Sequence, residues 1–237
     1  MVHWSPAKIV SVVLVGLVVA AAPALGGAAQ RTPLSFARAT SYGAQDLTVE
    51  IRDLNGDDRA DLVTGGLGSV AVLLNRGEGR FRAARYYDVP LATLGDLNRD
   101  GKPDLVTVVG DSVSVLLNNG TGAFGAKHDY ATGGAPWDVA IGDLSGDGSA
   151  DLGTTHHESN TASVLLNDGG GTFPTHVELA TGSRPTSITL GDLNGDGRSD
   201  IVTANANSVS VLLNRGDGSF QAKVDYPTGT SPVPGDR

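Results

Sequence analysis

Asp192-Leu193-Asn194-Gly195-Asp196-Gly197-Arg198-Ser199-Asp200 is a nine-residue acidic loop that runs directly into the apolar Ile201-Val202-Thr203. The same loop occurs three times earlier, beginning at Asp53, Asp96 and Asp143. Oxygen-bearing side chains stand at positions 1, 3, 5 and 9: Asp53, Asn55, Asp57 and Asp61; Asp96, Asn98, Asp100 and Asp104; Asp143, Ser145, Asp147 and Asp151; Asp192, Asn194, Asp196 and Asp200. A backbone that turns sharply around position 5 points all of them inward. The backbone carbonyl at position 7 (Arg59, Lys102, Ser149, Arg198) then completes a cage of hard oxygens, the donor set Ca²⁺ takes. Bound Ca²⁺ is therefore expected in each loop, with the second and fourth strongest. Ser145 is a weaker donor than the Asn of the other loops, and Asp58 occupies the sixth position where the others have Gly.

The loops recur at about 43 to 49 residues, a period that indicates propeller blades or helical arrays. The residues between them select β structure. Each loop leads into a short apolar run (Leu62-Val63-Thr64, Leu105 to Val109, Leu152-Gly153-Thr154, Ile201-Val202-Thr203). An alternating run closing on Leu-Leu-Asn follows, ending at Asn75, Asn118, Asn167 and Asn214. A Gly-rich turn then leads to Phe81, Phe124, Phe173 or Phe220. Short β-branched runs bounded by Gly, Asn and Asp read as strands joined by hairpins. The reading is all-β: a β-propeller of four-stranded antiparallel blades with four recognisable repeats. The recurrent Phe, Val and Leu positions are expected to fill the space between blades.

The run Asp192 to Val202, then Val209-Ser-Val-Leu-Leu-Asn214, then Gly216-Asp-Gly-Ser-Phe220, resembles the FG-GAP/VCBS repeat family, the blades of integrin-α-like propellers. The resemblance covers about Phe36 to Tyr226. It implies Ca²⁺ in the loops between the first and second strand of each blade, and a partner-binding surface on the opposite face. The Phe-Gly pair of the family name survives at Phe124-Gly125. An EF-hand does not fit, because position 12 is Thr64, Thr107, Thr154 or Thr203 in place of a bidentate Glu, and strands flank the loop in place of helices.

Residues 1–29 read as a secretory signal peptide. Lys8 precedes the apolar run Ile9 to Ala22, too short for a comfortable membrane span, and small residues follow Pro23. Residues 30–226 form the propeller repeats, with units near 36–80, 81–123, 124–172 and 173–226. Residues 227–237 read as the start of a further repeat or a disordered tail. Phe36 to Tyr42 matches the outer strand Phe220 to Tyr226 with no earlier blade to join. The ring is accordingly expected to be incomplete: either the chain is a truncated product, or it is a partial ring that must pair with another chain, which would bring self-association.

Of 26 acidic residues, 13 lie in the four loops. Losing Lys8 with the leader takes the formal charge from −9 to −10, and four Ca²⁺ would bring it to about −2. Metal sites thus account for the acidity. No basic patch points to nucleic acid. Without cysteine, stability must come from blade packing and bound ions.

Catalytic patterns are missing: there is no G-x-S-x-G elbow, H-E-x-x-H or thiol. Asp88, Asp111 and Asp138 are scattered carboxylates. The expected function is noncovalent recognition of an extracellular protein or glycan. A lectin-like module, or a non-catalytic repeat segment of a larger extracellular enzyme, is the alternative. His156-His157-Glu158 could contribute metal ligands, but adjacent side chains on an extended chain point opposite ways, which favours simple loop variation. Trp137 falls on the same expected face, where it would either stack on a ligand or pack over the strand it introduces. Arg215-Gly216-Asp217 is read as one version of a hairpin turn.

Overall fold

The computed structural model describes residues 48–66, 68–90 and 92–229. The expected leader, the early outer strand at 36–42 and the chain beyond 229 lie outside them. The described residues form sixteen strands in four antiparallel four-stranded sheets, with no helix.

Blade 1 comprises β1 (Thr48–Arg52), β2 (Asp61–Gly65), β3 (Val70–Leu73) and β4 (Arg85–Tyr87). Blade 2 comprises β5 (Ala92–Gly95), β6 (Asp104–Val109), β7 (Ser112–Asn118) and β8 (Phe124–Ala131). Blade 3 comprises β9 (Asp138–Gly142), β10 (Asp151–His156), β11 (Thr161–Leu166) and β12 (Thr175–Ala180). Blade 4 comprises β13 (Ser187–Gly191), β14 (Asp200–Ala204), β15 (Ser208–Leu212) and β16 (Val224–Pro227). Each blade is a simple meander in sequence order. The units marked from each Phe are offset from the sheets by one strand, because the strand after each Phe pairs with the Leu-Leu-Asn strand before it.

The alternation of a β-strand lets each blade serve two interfaces. Leu105 and Leu116 face blade 1 and join Leu54, Val70, Val72 and Phe124. Val106, Val113 and Val115 face blade 3 and join Leu152, Leu165 and Phe173. Leu144 and Val164 repeat the pattern against Ile188, Ile201, Leu212 and Phe220 of blade 4. The expected packing role of Phe, Val and Leu is thus met. Tyr87 stands edge-on to Phe124 at 5.4 Å, and Tyr130 to Phe173 at 5.2 Å.

Successive inner strands lie side by side, β1 against β5, β5 against β9 and β9 against β13. Among the described residues no comparable contact returns from β13 to β1, so the ring is not closed. Gly95 and Gly142 end their inner strands where the next blade crowds in. A Cβ there would come within 2.9 Å of Ile141 and of Leu190 respectively. The equivalent Gly191 has no atom that near among the described residues. Leu193 tells the same story: Leu54, Leu97 and Leu144 are fully buried at this loop position, whereas Leu193 is 55% exposed. Val224 and Tyr226 are exposed beside it and, with Val211 and Leu213, line a cavity of about 320 Å³.

Candidate metal loops and the opposite loop face

Antiparallel meanders sort the connections by end. The four acidic loops and the hairpins between third and fourth strands occupy one end. The turns between second and third strands and the links between blades occupy the other.

In each acidic loop the position-1 carboxylate gathers backbone N–H groups. Asp53 Oδ1 accepts from Gly56 at 2.8 Å and Oδ2 from Asp58 at 2.8 Å. Asp96 accepts from Asp100 and Gly101, Asp143 from Gly146 and Gly148, and Asp192 from Gly195 and Gly197. The turn requires left-handed backbone at positions 4 and 6. Asp58 takes it with φ 61° at position 6 and Arg99 with φ 58° at position 4, where the other loops have Gly. Position 3 caps position 5: the amide oxygens of Asn55, Asn98 and Asn194 accept the N–H of Asp57, Asp100 and Asp196 at 3.0, 3.1 and 2.9 Å. Position 5 in turn accepts the N–H of position 7, from Arg59, Lys102, Ser149 and Arg198.

Position 9 sits deeper. Asp61, Asp104, Asp151 and Asp200 are completely buried. One oxygen of each accepts the N–H of loop position 2 (Leu54, Leu97, Leu144, Leu193). The other accepts the N–H of the Asn that closes the third strand (Asn75, Asn118, Asn167, Asn214) at 2.7 to 2.8 Å. These carboxylates are therefore the internal struts of the blade end, besides being candidate ligands.

The electrostatics follow from these contacts. Desolvation raises the Asp53 carboxyl, but N–H donation from Asp58, Asn55, Gly56 and Asp57 outweighs it and holds the group below the ordinary carboxylate value. Donation from Gly197 does the same for Asp192, and from Ser149 for Asp147. Burial pushes Asp104 and Asp151 up, against the N–H groups of Asn118 and Asn167 that pull them down. Basic side chains offset part of the negative charge: Arg59, Lys102 and Arg198 stand 3.7, 3.4 and 3.8 Å from Asp57, Asp100 and Asp196. Arg99 crosses between loops, donating to the Asp147 carbonyl at 2.7 Å.

The donors available in each loop are all hard oxygens, the chemistry that fits Ca²⁺. Among the described residues no three His, Cys, Asp or Glu side chains are gathered tightly enough to hold an ion by themselves. An ion in a loop would draw on the position-3 oxygen and the position-7 carbonyl as well. It would share the position-1 and position-9 carboxylates with the N–H groups they already accept.

One set of residues escaped the sequence reading. In blades 2, 3 and 4 the Asn of the Leu-Leu-Asn run ties its blade to the loop of the preceding blade. Nδ2 of Asn118 donates to the Leu54 carbonyl at 2.9 Å, Asn167 to Leu97 at 2.7 Å and Asn214 to Leu144 at 3.0 Å. Each also donates to the position-8 carbonyl of its own loop, at Pro103, Ala150 and Ser199. The recurrence of Asn at that position was the available signal. Asp138, read as a scattered carboxylate, likewise reaches the next blade, accepting the Ile188 N–H at 2.9 Å.

On the opposite end, His156 and His157 point apart as expected. His156 is buried, with Nε2 2.9 Å from Ser163 Oγ, and burial pushes its imidazole below the ordinary value. His157 faces outward, stacked on Trp137 with ring centroids 5.0 Å apart. Arg215-Gly216-Asp217 is a hairpin turn: Arg215 donates to the Phe220 carbonyl, and Asp217 accepts from Ser219.

Four-stranded meander blades, each with an acidic loop after its inner strand, define a β-propeller repeat protein. The chain belongs to the FG-GAP-like repeat family, whose model matches residues 96–154, 152–203 and 192–236. No curated protein sequence matches it. Among solved structures it is similar to an Agrocybe aegerita lectin described for specific recognition of non-reducing terminal N-acetylglucosamine. The two are 24% identical with a TM-score of 0.59, over 82% of this chain and 58% of the lectin. It is also similar to BBS1N, solved in complex with ARL6DN, at 11% identity and TM-score 0.53, over 77% of this chain and 58% of that one. A functionally unknown protein from Desulfotomaculum acetoxidans DSM 771 shares the fold at 13% identity and TM-score 0.50, over 83% of this chain and 74% of that one. These likenesses are of fold, and the chain spans little more than half the length of the first two. Among the described residues no helix is long and apolar enough to cross a membrane.

Proposed function

We propose that this chain is a secreted, calcium-binding propeller module that recognises an extracellular protein or glycan noncovalently. The observation that carries the reading is the division of labour between the two ends. One end repeats a single oxygen-rich loop four times; the other varies from blade to blade. Repetition suits a structural ion and variation suits a ligand surface. Asp53, Asp96, Asp143 and Asp192, with the position-3, position-5 and position-9 residues and the position-7 carbonyls of the same loops, would hold the ions. Calcium in this role supplies charge neutralisation where up to four carboxylates crowd a short turn, and it stabilises only the folded state. The glycan version draws support from the lectin likeness in fold and from the exposed Trp137.

Thermal unfolding with and without EDTA tests the structural role of the ions. Chelation is expected to lower the melting temperature substantially and readdition of Ca²⁺ to restore it. Ca²⁺ binding stabilises each occupied site by about 2.7 kcal/mol at a hundredfold excess over Kd. An unchanged melting temperature would overturn the calcium assignment.

A further inference from the structure

We infer that Trp137, His157 and Glu158 form a binding plate for one neutral pyranose ring. This rests on the recognition reading above and names its ligand class. Trp137 is 57% exposed, although large apolar side chains are normally drawn into the blade interfaces. It lies nearly parallel to the His157 imidazole, at an interplanar angle of 28°. His157 Nδ1 stands 3.1 Å from Glu158 Oε1, and the Glu158 side chain is 92% exposed. An apolar ring face beside a solvent-facing carboxylate is what a pyranose needs: a surface for its axial C–H groups and an acceptor for its hydroxyls.

The plate is held in place before any ligand arrives. The backbone N–H of Trp137 donates to the Thr155 carbonyl at 2.7 Å. The other end of the same link is fixed by Ser163 Oγ, which donates to the Thr132 carbonyl at 2.6 Å and contacts buried His156. The turn carrying His157 and Glu158 is braced by Asn160, whose N–H donates to the His156 carbonyl and whose side chain accepts the Arg184 N–H at 2.7 Å. Such fixing removes ordering costs that a weak ligand could not offset.

Two features select the ligand class. The Glu158 carboxylate disfavours anionic sugars. A single exposed aromatic among Glu158, Ser159 and Asn160 is a poor nucleus for a protein interface, whose centre is built from several apolar anchors.

Saturation-transfer NMR on the full chain in Ca²⁺ buffer tests this, with methyl β-glucoside, N-acetylglucosamine and glucuronate as probes. Saturable transfer to one face of at least one neutral ring is expected, with glucuronate weaker. Trp137→Ala should abolish the signal and Trp137→Phe retain part of it. Glu158→Gln should weaken neutral binding on the order of tenfold, the loss of one hydrogen bond to a charged group, and narrow the gap to glucuronate. No saturable transfer from either neutral sugar, or transfer unaffected by Trp137→Ala, overturns the assignment. So does a Trp137-dependent protein ligand without sugar binding. Loss of sugar binding while EDTA still lowers the melting temperature refutes this plate alone; failure of both refutes the calcium module as well.

Discussion

Replacing Asn118 by Ala should cost far more than the loss of one buried polar side chain suggests. Nδ2 donates to the Leu54 carbonyl across the blade boundary at 2.9 Å and to the Pro103 carbonyl at 3.1 Å, while Oδ1 accepts the Gly120 N–H at 2.9 Å. Each bond contributes about 1 kcal/mol net, and a buried carbonyl left without its donor adds to that. The expected loss is about 3 to 4 kcal/mol. Asn75 is the internal control. It has the same local bonds, to the Ala60 carbonyl and from the Gly77 N–H, but among the described residues its Nδ2 reaches no neighbouring loop, and it lies near solvent. Asn75→Ala should cost about 1 kcal/mol. For a fold of this size the difference, about 2 to 3 kcal/mol, is about 4 to 12 °C in melting temperature, read by circular dichroism. Asn118→Asp should be worse than Ala, since it turns a carboxylate towards two carbonyls. Equal losses for Asn118→Ala and Asn75→Ala would refute the idea that these side chains couple blades.

His156 is buried and its pKa is lowered by burial, so the unfolded chain takes up a proton that the folded chain refuses. Its contribution is fully present above about pH 6.5 and is lost as pH falls below that value towards the folded pKa. His156→Gln should flatten this part of the urea-midpoint profile between pH 7.5 and 5.5; an unchanged slope would contradict it. Asp58→Gly should stabilise the first blade by about 0.5 to 1 kcal/mol by relieving a left-handed Asp, whereas Gly101→Ala should destabilise the second by a similar amount, both measured by denaturant melts. The face of blade 4 that is exposed among the described residues should promote self-association, so Leu193→Asp should reduce the weight-average mass in light scattering at high concentration; a mass insensitive to the substitution would exclude this face.

The acidic loops and the Leu-Leu-Asn runs made the blades legible in the sequence, because both are local patterns set by turn geometry and strand alternation. The polar ties that join the blades were not legible, although the apolar residues between them were. Asn118 and Leu54 are 64 residues apart, and no local period reveals that one side chain spans them. The double use of Asp61, Asp104, Asp151 and Asp200 was hidden for the same reason: a ligand pattern and a buried hydrogen-bonding strut call for the same residue. Position 58 could be flagged but not resolved from sequence, since Asp can adopt or avoid the left-handed region; it adopts it. Trp137 was legible as a face residue, but its stacking on His157 depends on two connections meeting at one end of blade 3.

Calorimetric titration of the metal-free chain with Ca²⁺ tests the central claim most directly. About four ions per chain are predicted, one for each acidic loop, falling by one in Asp196→Ala. Absence of saturable binding, or a stoichiometry that Asp196→Ala leaves unchanged, would contradict the account.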